Sequence, residues 1–323
     1  MSILVIAEQM GKLFLILCLG VFLAKFGILD VHTKQKLTKL LLHVTTPLMM
    51  LDAFCDRMKM LEEQESAAGQ LSVGVLFLYC FAFYGILIVL SFILIYGMRI
   101  PKQDRRLYLF MTIFGNVGFM GFPVIEAIYG TEGLFYAAIL NSVFNIIIYT
   151  IGVVMMGGVS ETAGEGFAAA LRGIPWKKLL LTPALIGTAI GVLIFVLHIH
   201  LPALIADTCD TLGGLTSPLA MLVVGANLSG VKPKEIVTDM RLNVYVLLRE
   251  IAVPLVFWLI CKQFVSHEVL APTLLIMSCM PVANTTALFA TEYKGNEKLA
   301  SQAIFLTTLV SLATLPLVMW IAI

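Results

Sequence analysis

Two clusters of helix-breaking residues interrupt apolar runs that are long enough to cross a bilayer. They are GNVGFMGFP at residues 115–123 and MPVANTTAL at residues 280–288. In lipid an unsatisfied backbone group costs several kcal/mol, so irregular backbone survives only where protein covers it or where it lines a cavity. A pair of such breaks at corresponding places in two halves of a chain is the strongest sequence pointer to a transporter's binding site.

The background supports a membrane setting. Of 323 residues, 60% are hydrophobic and only 13% are charged, against roughly 45–50% and 25% in soluble domains. A net charge of +1 and basic residues confined to short loops argue against a nucleic-acid partner. The six cysteines show no CxxC spacing and read as small buried hydrophobes. The first apolar stretch carries Glu8 and Lys12 and lacks a signal peptide's basic leader, so it is kept as a membrane span.

Ten spans are expected: 3–26, 36–55, 71–97, 104–130, 132–156, 178–199, 204–229, 241–262, 269–291 and 298–322. The fourth and ninth hold the breaks. Sixteen of the 21 lysines and arginines fall in one alternate set of loops and three in the other. That asymmetry places the basic loops in the cytoplasm and both termini outside. The halves resemble each other. TTPLMML at 45–51 matches TSPLAML at 216–222 with an offset of 171, and YGTEGLFYAA at 129–138 matches KGNEKLASQA at 294–303 with an offset of 165. The second offset superposes Asn116 on Pro281 and Gly121 on Thr286. Five spans per half is an odd number, so the halves insert in opposite orientations. The expected class is an all-α polytopic membrane protein in a 5+5 inverted repeat: 1–156, a cytoplasmic connector at 157–177, and 178–323.

Within the first break Gly115, Gly118 and Gly121 recur every three residues before Pro123. The helix is expected to stop before Asn116 and restart near Pro123, where proline suits a first turn. In the second break Pro281 stops the helix, and Asn284, Thr285 and Thr286 can cap the restart. Restarted half-helices then aim N-terminal N–H groups at the midplane, each with about half a positive charge, which suits a carboxylate. The competing reading is a kinked helix packed by small residues, since glycine and proline are common in membrane helices. Register across the repeat favours the binding site.

Other polar residues are weaker candidates. Asn141 and Asn145 share one face of the fifth span and either line the cavity or glue helices together. Arg249, within the eighth span, either attracts an anion, forms a structural pair with Glu250 or another acid, or snorkels to the inner face. Glu8 and Lys12 read as a structural i, i+4 pair, Pro47 and Pro218 as breaks flanking the central ones, and His43 as a packing residue. Gly187 and Gly191 have GxxxG spacing, more often close packing within one protomer than a dimer face. The sequons at 227–229 and 284–286 are discounted because one is placed at the cytoplasmic face and the other in the membrane. No catalytic, nucleotide-binding or metal-binding motif is found, so neither an enzyme, a cofactor nor a metal is expected.

The segments GNVGFMGFPVIEAIYGTEGLFYAAILNSVFN, TPALIGTAIGVLIFVLHIHLPALI with SPLAMLVVGANLSG, and MPVANTTALFATEYKGNEKLASQAIFLTTLVSLATLPLVMW resemble the auxin efflux carrier family, which includes prokaryotic malate- and malonate-permease-like members. The resemblance implies a fold similar to that of sodium–bile acid symporters. Its broken fourth and ninth helices cross at the midplane, organic anions move by elevator-like alternating access, Asn145 lies near substrate, and the family forms homodimers. The short connector points to a bacterial cytoplasmic-membrane protein without plant-type loop regulation. Together these readings describe a secondary carrier for a mono- or dicarboxylate. Because amides and hydroxyls, but no carboxylate, surround the breaks, transport is expected to be electrogenic and sodium-independent. An anion channel, or a sensor that binds carboxylates without net flux, is the alternative.

Overall fold

The computed structural model describes residues 3–63, 72–157, 177, 180–229 and 239–322. Among them the regular structure is helical, apart from one isolated bridge at residues 115 and 282. Five helical runs are long and apolar enough to cross a membrane: Val73–Gly97, Val117–Gly157, Ala203–Leu228, Met240–Cys261 and Glu297–Ala322.

In chain order the helices are α1 (Ile3–Lys25), α2 (Val31–Leu40), α3 (Thr46–Glu63), α4 (Val73–Gly97), α5 (Lys102–Ile113), α6 (Phe122–Ile147) and α7 (Val153–Gly157). The second half has α8 (Pro183–Leu197), α9 (Ala203–Gly213), α10 (Thr216–Leu228), α11 (Met240–Leu247), α12 (Val253–Cys261), α13 (Leu270–Ser278), α14 (Thr285–Glu292) and α15 (Glu297–Ala322). Of the expected connector at 157–177, only Gly157 and Lys177 fall within the described residues.

Proline placement explains most of the irregularity. Widened π turns occupy Leu41–Thr45, Val117–Gly121, Ile148–Gly152 and Leu248–Ala252. Three of the four end two residues before a proline: Pro47, Pro123 and Pro254. A proline ring collides with the carbonyl four residues earlier and offers no N–H, so the ladder opens one residue wider there and closes again. The fourth has no proline; Thr150 Oγ1 donates back to the Ile146 carbonyl at 2.6 Å. Pro47 and Pro218 both sit in the first turn of a resumed helix, α3 and α10. Gly130, with φ 59 and ψ −150, bends α6 where the sequence divides its fourth from its fifth span.

Small residues set the closest approaches. A Cβ on Gly20 would lie 2.3 Å from the Leu222 carbonyl oxygen, and one on Gly225 would lie 2.0 Å from that of Leu17. The backbones of α1 and α10 therefore touch, as membrane helices without a hydrophobic driving force tend to. Gly187 and Gly191 press on Pro47 and Phe54 in the same way, so their spacing serves packing within the protomer. Lys12 and Glu8 form the expected pair at 3.1 Å.

Gly225→Ala forces α1 and α10 apart and is expected to cost about 1–3 kcal/mol or more. Gly85→Ala, in α4 with nothing within 4 Å of the new methyl, is expected to be neutral or stabilising by about 0.5–1 kcal/mol. Thermal unfolding of the two purified variants checks the contrast.

Candidate functional site

The two breaks satisfy each other. α5 ends at Ile113, and Phe114 is extended. α13 ends at Ser278, and regular helix resumes only at Thr285. Between them the strands run antiparallel: Asn116 N donates to Pro281 O at 2.7 Å, and Ala283 N donates to Phe114 O at 3.0 Å, around the Gly115–Val282 bridge. This register pairs Asn116 with Pro281, the same two residues that the 165-residue offset superposes. The reciprocal bond is missing because proline has no N–H. Val282 N instead donates to Thr307 Oγ1 at 3.0 Å, so α15 completes the pairing.

The restarts follow the expectation in position and depart from it in chemistry. Asn116 caps the first restart: its carbonyl accepts from Met120 N and Gly121 N, each at 3.1 Å, and its Oδ1 accepts from Phe119 N at 3.4 Å. Asn284 stands at the second N-cap, but its side chain makes no capping bond. Thr285 and Thr286 do not cap either; both hydroxyls are buried without a partner among the described residues.

A cavity of about 730 Å³ opens against this crossover. From the first break come Gly115, Asn116 and Gly118, from the second Ala283, Asn284 and Thr285, and from α6 Asn141 and Asn145. Asn145 Nδ2 donates to the Asn141 carbonyl at 2.7 Å, one turn back in its own helix. The Asn141 amide makes no hydrogen bond among the described residues and faces the space. Phe119, Phe122, Phe144 and Tyr149 give the cavity an aromatic wall, and Lys177 stands in its lining. Lys177 is the one fully charged side chain among the described lining residues, and no carboxylate joins it.

Five expected site residues lie elsewhere. Gly121 is a packing position, since a Cβ there would meet Met277 Sδ at 2.7 Å. Pro123 starts α6, Pro281 pairs the breaks and Thr286 is buried behind them; none lines the cavity. Arg249 is also absent from the lining. It is 2% exposed and Glu250 is 0% exposed; Nη1 donates to Glu250 Oε1 at 2.5 Å and to the Met280 carbonyl. Arg249 therefore acts from behind, tying the end of the ninth-span helix to the eighth span, and its charge is matched by Glu250. Of its sequence readings, the structural pair with Glu250 is the one formed. A carboxylate does reach the back of the second break, a correction to the expectation that none comes near. That link, made through Arg249, was invisible because the Leu248–Ala252 turn and the break are separated by about 30 residues of chain.

Sequence reasoning also missed lining residues. Thr46 and Thr216 face the cavity, and both belong to the matched TTP and TSP segments, where the prolines drew attention away from the hydroxyls. His43, expected to pack, is exposed and lines the space, with Nδ1 2.9 Å from the Lys39 carbonyl oxygen. Lys177 was counted only for orientation. Pro47 and Pro218 flank the site through these neighbours and do not line it.

A multi-pass membrane protein with an interior cavity at two paired helix breaks has the architecture of a transporter. A family model described as membrane transport protein matches residues 5–319, and the chain belongs to that auxin efflux carrier family. It is 26% identical over 321 residues to an uncharacterized transporter of Methanocaldococcus jannaschii, covering 95% of this chain and 96% of the relative. An uncharacterized transporter of Methanothermobacter thermautotrophicus is 28% identical over 205 residues, 62% of this chain and 63% of the relative. Its role is transport across a membrane, and its family is one of transporters rather than enzymes.

Arg249→Met strands Glu250 in a buried site and is expected to destabilise the protein by about 3–5 kcal/mol, with much of the loss recovered in Arg249→Met/Glu250→Gln. Thermal unfolding of both variants is the check.

Proposed function

We propose that this chain is a secondary carrier for a small organic anion, built as ten spans in a 5+5 inverted repeat whose halves are 1–156 and 178–323. The observation that carries the reading is the cavity lining: among the described residues it has one lysine, two asparagine-bearing helix starts and no carboxylate, around the paired breaks. Half-helix N-termini, the Asn141 amide and the orphaned hydroxyls of Thr216 and Thr285 offer donors to a carboxylate. Among the described lining residues, a single cation beside an aromatic wall favours a monocarboxylate with an apolar body over a dicarboxylate. Substrate contacts are assigned to Asn116, Gly118, Asn141, Asn145, Asn284, Thr285 and Lys177.

The loop-charge asymmetry turns the cavity mouth, where Lys177 stands, toward the cytoplasm and sets both termini outside. Alternating access by an elevator-like motion carries the site to the other face. Each negative charge leaving a negative interior gains about 2.3 kcal/mol per 100 mV, so efflux needs no coupling ion. A carrier is favoured over a channel because Phe54, Phe135 and Phe195 pack against one another beyond the site, with ring centroids 4.9–6.3 Å apart.

A thermal-shift screen of purified protein against mono- and dicarboxylates should show stabilisation, stronger for monocarboxylates with apolar bodies. Lys177→Gln and Asn141→Leu should each weaken the midpoint about tenfold while leaving the unliganded melting temperature within a degree or two. Asn116→Ala should weaken binding and also remove a cap worth about 1 kcal/mol. In proteoliposomes, flux should be electrogenic and indifferent to sodium; uptake driven by a sodium gradient would sink the uncoupled reading.

A further inference from the structure

The cavity is reached from one end of the bundle. Its lining takes His43 and Thr46 from the start of the second span, Asn145 and Tyr149 from the far part of the fifth, and Lys177 and Ala184 from the start of the sixth. The opposite end holds a different set of contacts. At 1.5 Å per residue, Arg57 lies about 16 Å past Thr46, and Glu132 about 13 Å before Asn141. There Arg57 Nη1 meets Glu132 Oε1 at 2.8 Å, with side chains 12% and 27% exposed. Arg57 Nη2 donates to the Tyr136 hydroxyl at 3.4 Å, and the guanidinium lies 5.9 Å from that ring's centroid. The Tyr136 hydroxyl in turn shares a hydrogen bond of 3.1 Å with His267 Nε2. One turn nearer the cavity, Phe54 meets Phe135 edge-on at 4.9 Å, and Phe195 lies edge-on to Phe54 at 6.3 Å and tilted against Phe135 at 5.2 Å.

These contacts span a joint between two packed groups of helices. α1 packs on α10, and α3 packs on α8 and α9. In the other group α4 packs on α5 and α6, α14 and α11 on α15, and α13 on α6. The groups meet where α1, α3, α8 and α10 face α6, and where α1 faces α15. Arg57 belongs to the first group, and Glu132 and Tyr136 to the second. A second tie crosses the same joint: Ser217 Oγ, in the first turn of α10, donates to Glu126 Oε2 in α6.

We propose that Arg57, held by Glu132 and Tyr136 above the Phe54–Phe135–Phe195 plug, is a latch that closes the face opposite the cavity mouth. Its release is the step that lets that face open. The proposal rests on the carrier reading, since a binding protein without alternating access needs no such step. The placement suits the task. Arg57 is buried enough that removing its partner leaves a poorly solvated charge. Glu132 keeps enough contact with solvent for the pair to break reversibly. Loss of the pair shifts the population of the two arrangements by its differential free energy and no more.

The test needs no substrate. In a background with the six native cysteines replaced, spin labels at Leu204→Cys in α9 and Glu268→Cys before α13 report the separation of the two groups at this face. Both native side chains are exposed, and neither belongs to the latch. Double electron–electron resonance should show the ratio of long to short distances rising about tenfold in Arg57→Glu. The charge swap Arg57→Glu/Glu132→Arg should restore the original distribution. Arg57→Gln, which removes the charge without reversing it, carries the test if Arg57→Glu does not fold. Unchanged distances in a folded single variant, or a swap that fails to restore them, would overturn the latch. Failure of the carrier reading shows separately, as absent carboxylate flux in liposomes with the distance response intact.

Discussion

Backbone inside a bilayer has to find its hydrogen bonds within the protein, and the structure around the midplane follows from how two interrupted helices meet that demand. Each break frees N–H and C=O groups that its own helix can no longer use. Antiparallel pairing of residues 114–116 with 281–283 supplies what each lacks. Pro281 withholds one donor, Thr307 takes up the neighbouring N–H, and Arg249 occupies the Met280 carbonyl. With those needs met from behind, the front of the crossover is left with the first turns of two helices and a few uncommitted amides and hydroxyls. A cavity forms where donors remain unused, and the proposed carrier function assigns that cavity to an acceptor-rich anion.

The surrounding packing serves the same end at a larger scale. Glycines let α1 and α10 touch backbone to backbone, and α8 press on α3, which makes a compact group on one side of the joint. On the other side, buried aromatic contacts knit α4 to α12 through Phe83–Phe257 and α5 to α11 through Tyr108–Tyr245. Among the described residues the joint holds few polar ties. In the proposed alternating access, two close-packed groups slide across this face with a modest change in contacts, because neither deforms internally without opening voids.

Much of this was legible in the linear chain because it is local or periodic. The breaks announce themselves by glycine and proline in apolar runs. The register of the crossover followed from an internal offset, because Asn116 and Pro281 occupy equivalent places in related segments. The π turns before Pro47, Pro123 and Pro254 follow from one steric clash four residues away. Illegible were the partners of charged groups. Arg249 could face an anion or an acid, and nothing in its neighbourhood of sequence distinguishes Glu250 as clamp from Glu250 as bystander. Lys177 looked like one more cytoplasmic charge, because its place at the cavity depends on how the sixth span enters beside the second.

The sequence by itself determined that the chain is a membrane protein, where its helices break and which two breaks correspond. Those features arise from apolar length, steric clash and internal similarity, all of which act along the chain. Only the tertiary structure decided that the breaks pair as strands, that Arg249 and Gly121 support the site from behind while Asn141 and Lys177 face it, and that Arg57 meets Glu132 across a joint. Those outcomes depend on which faces of distant helices are brought together, and the free energy that selects them comes from packing and hydrogen bonding between segments far apart in the chain.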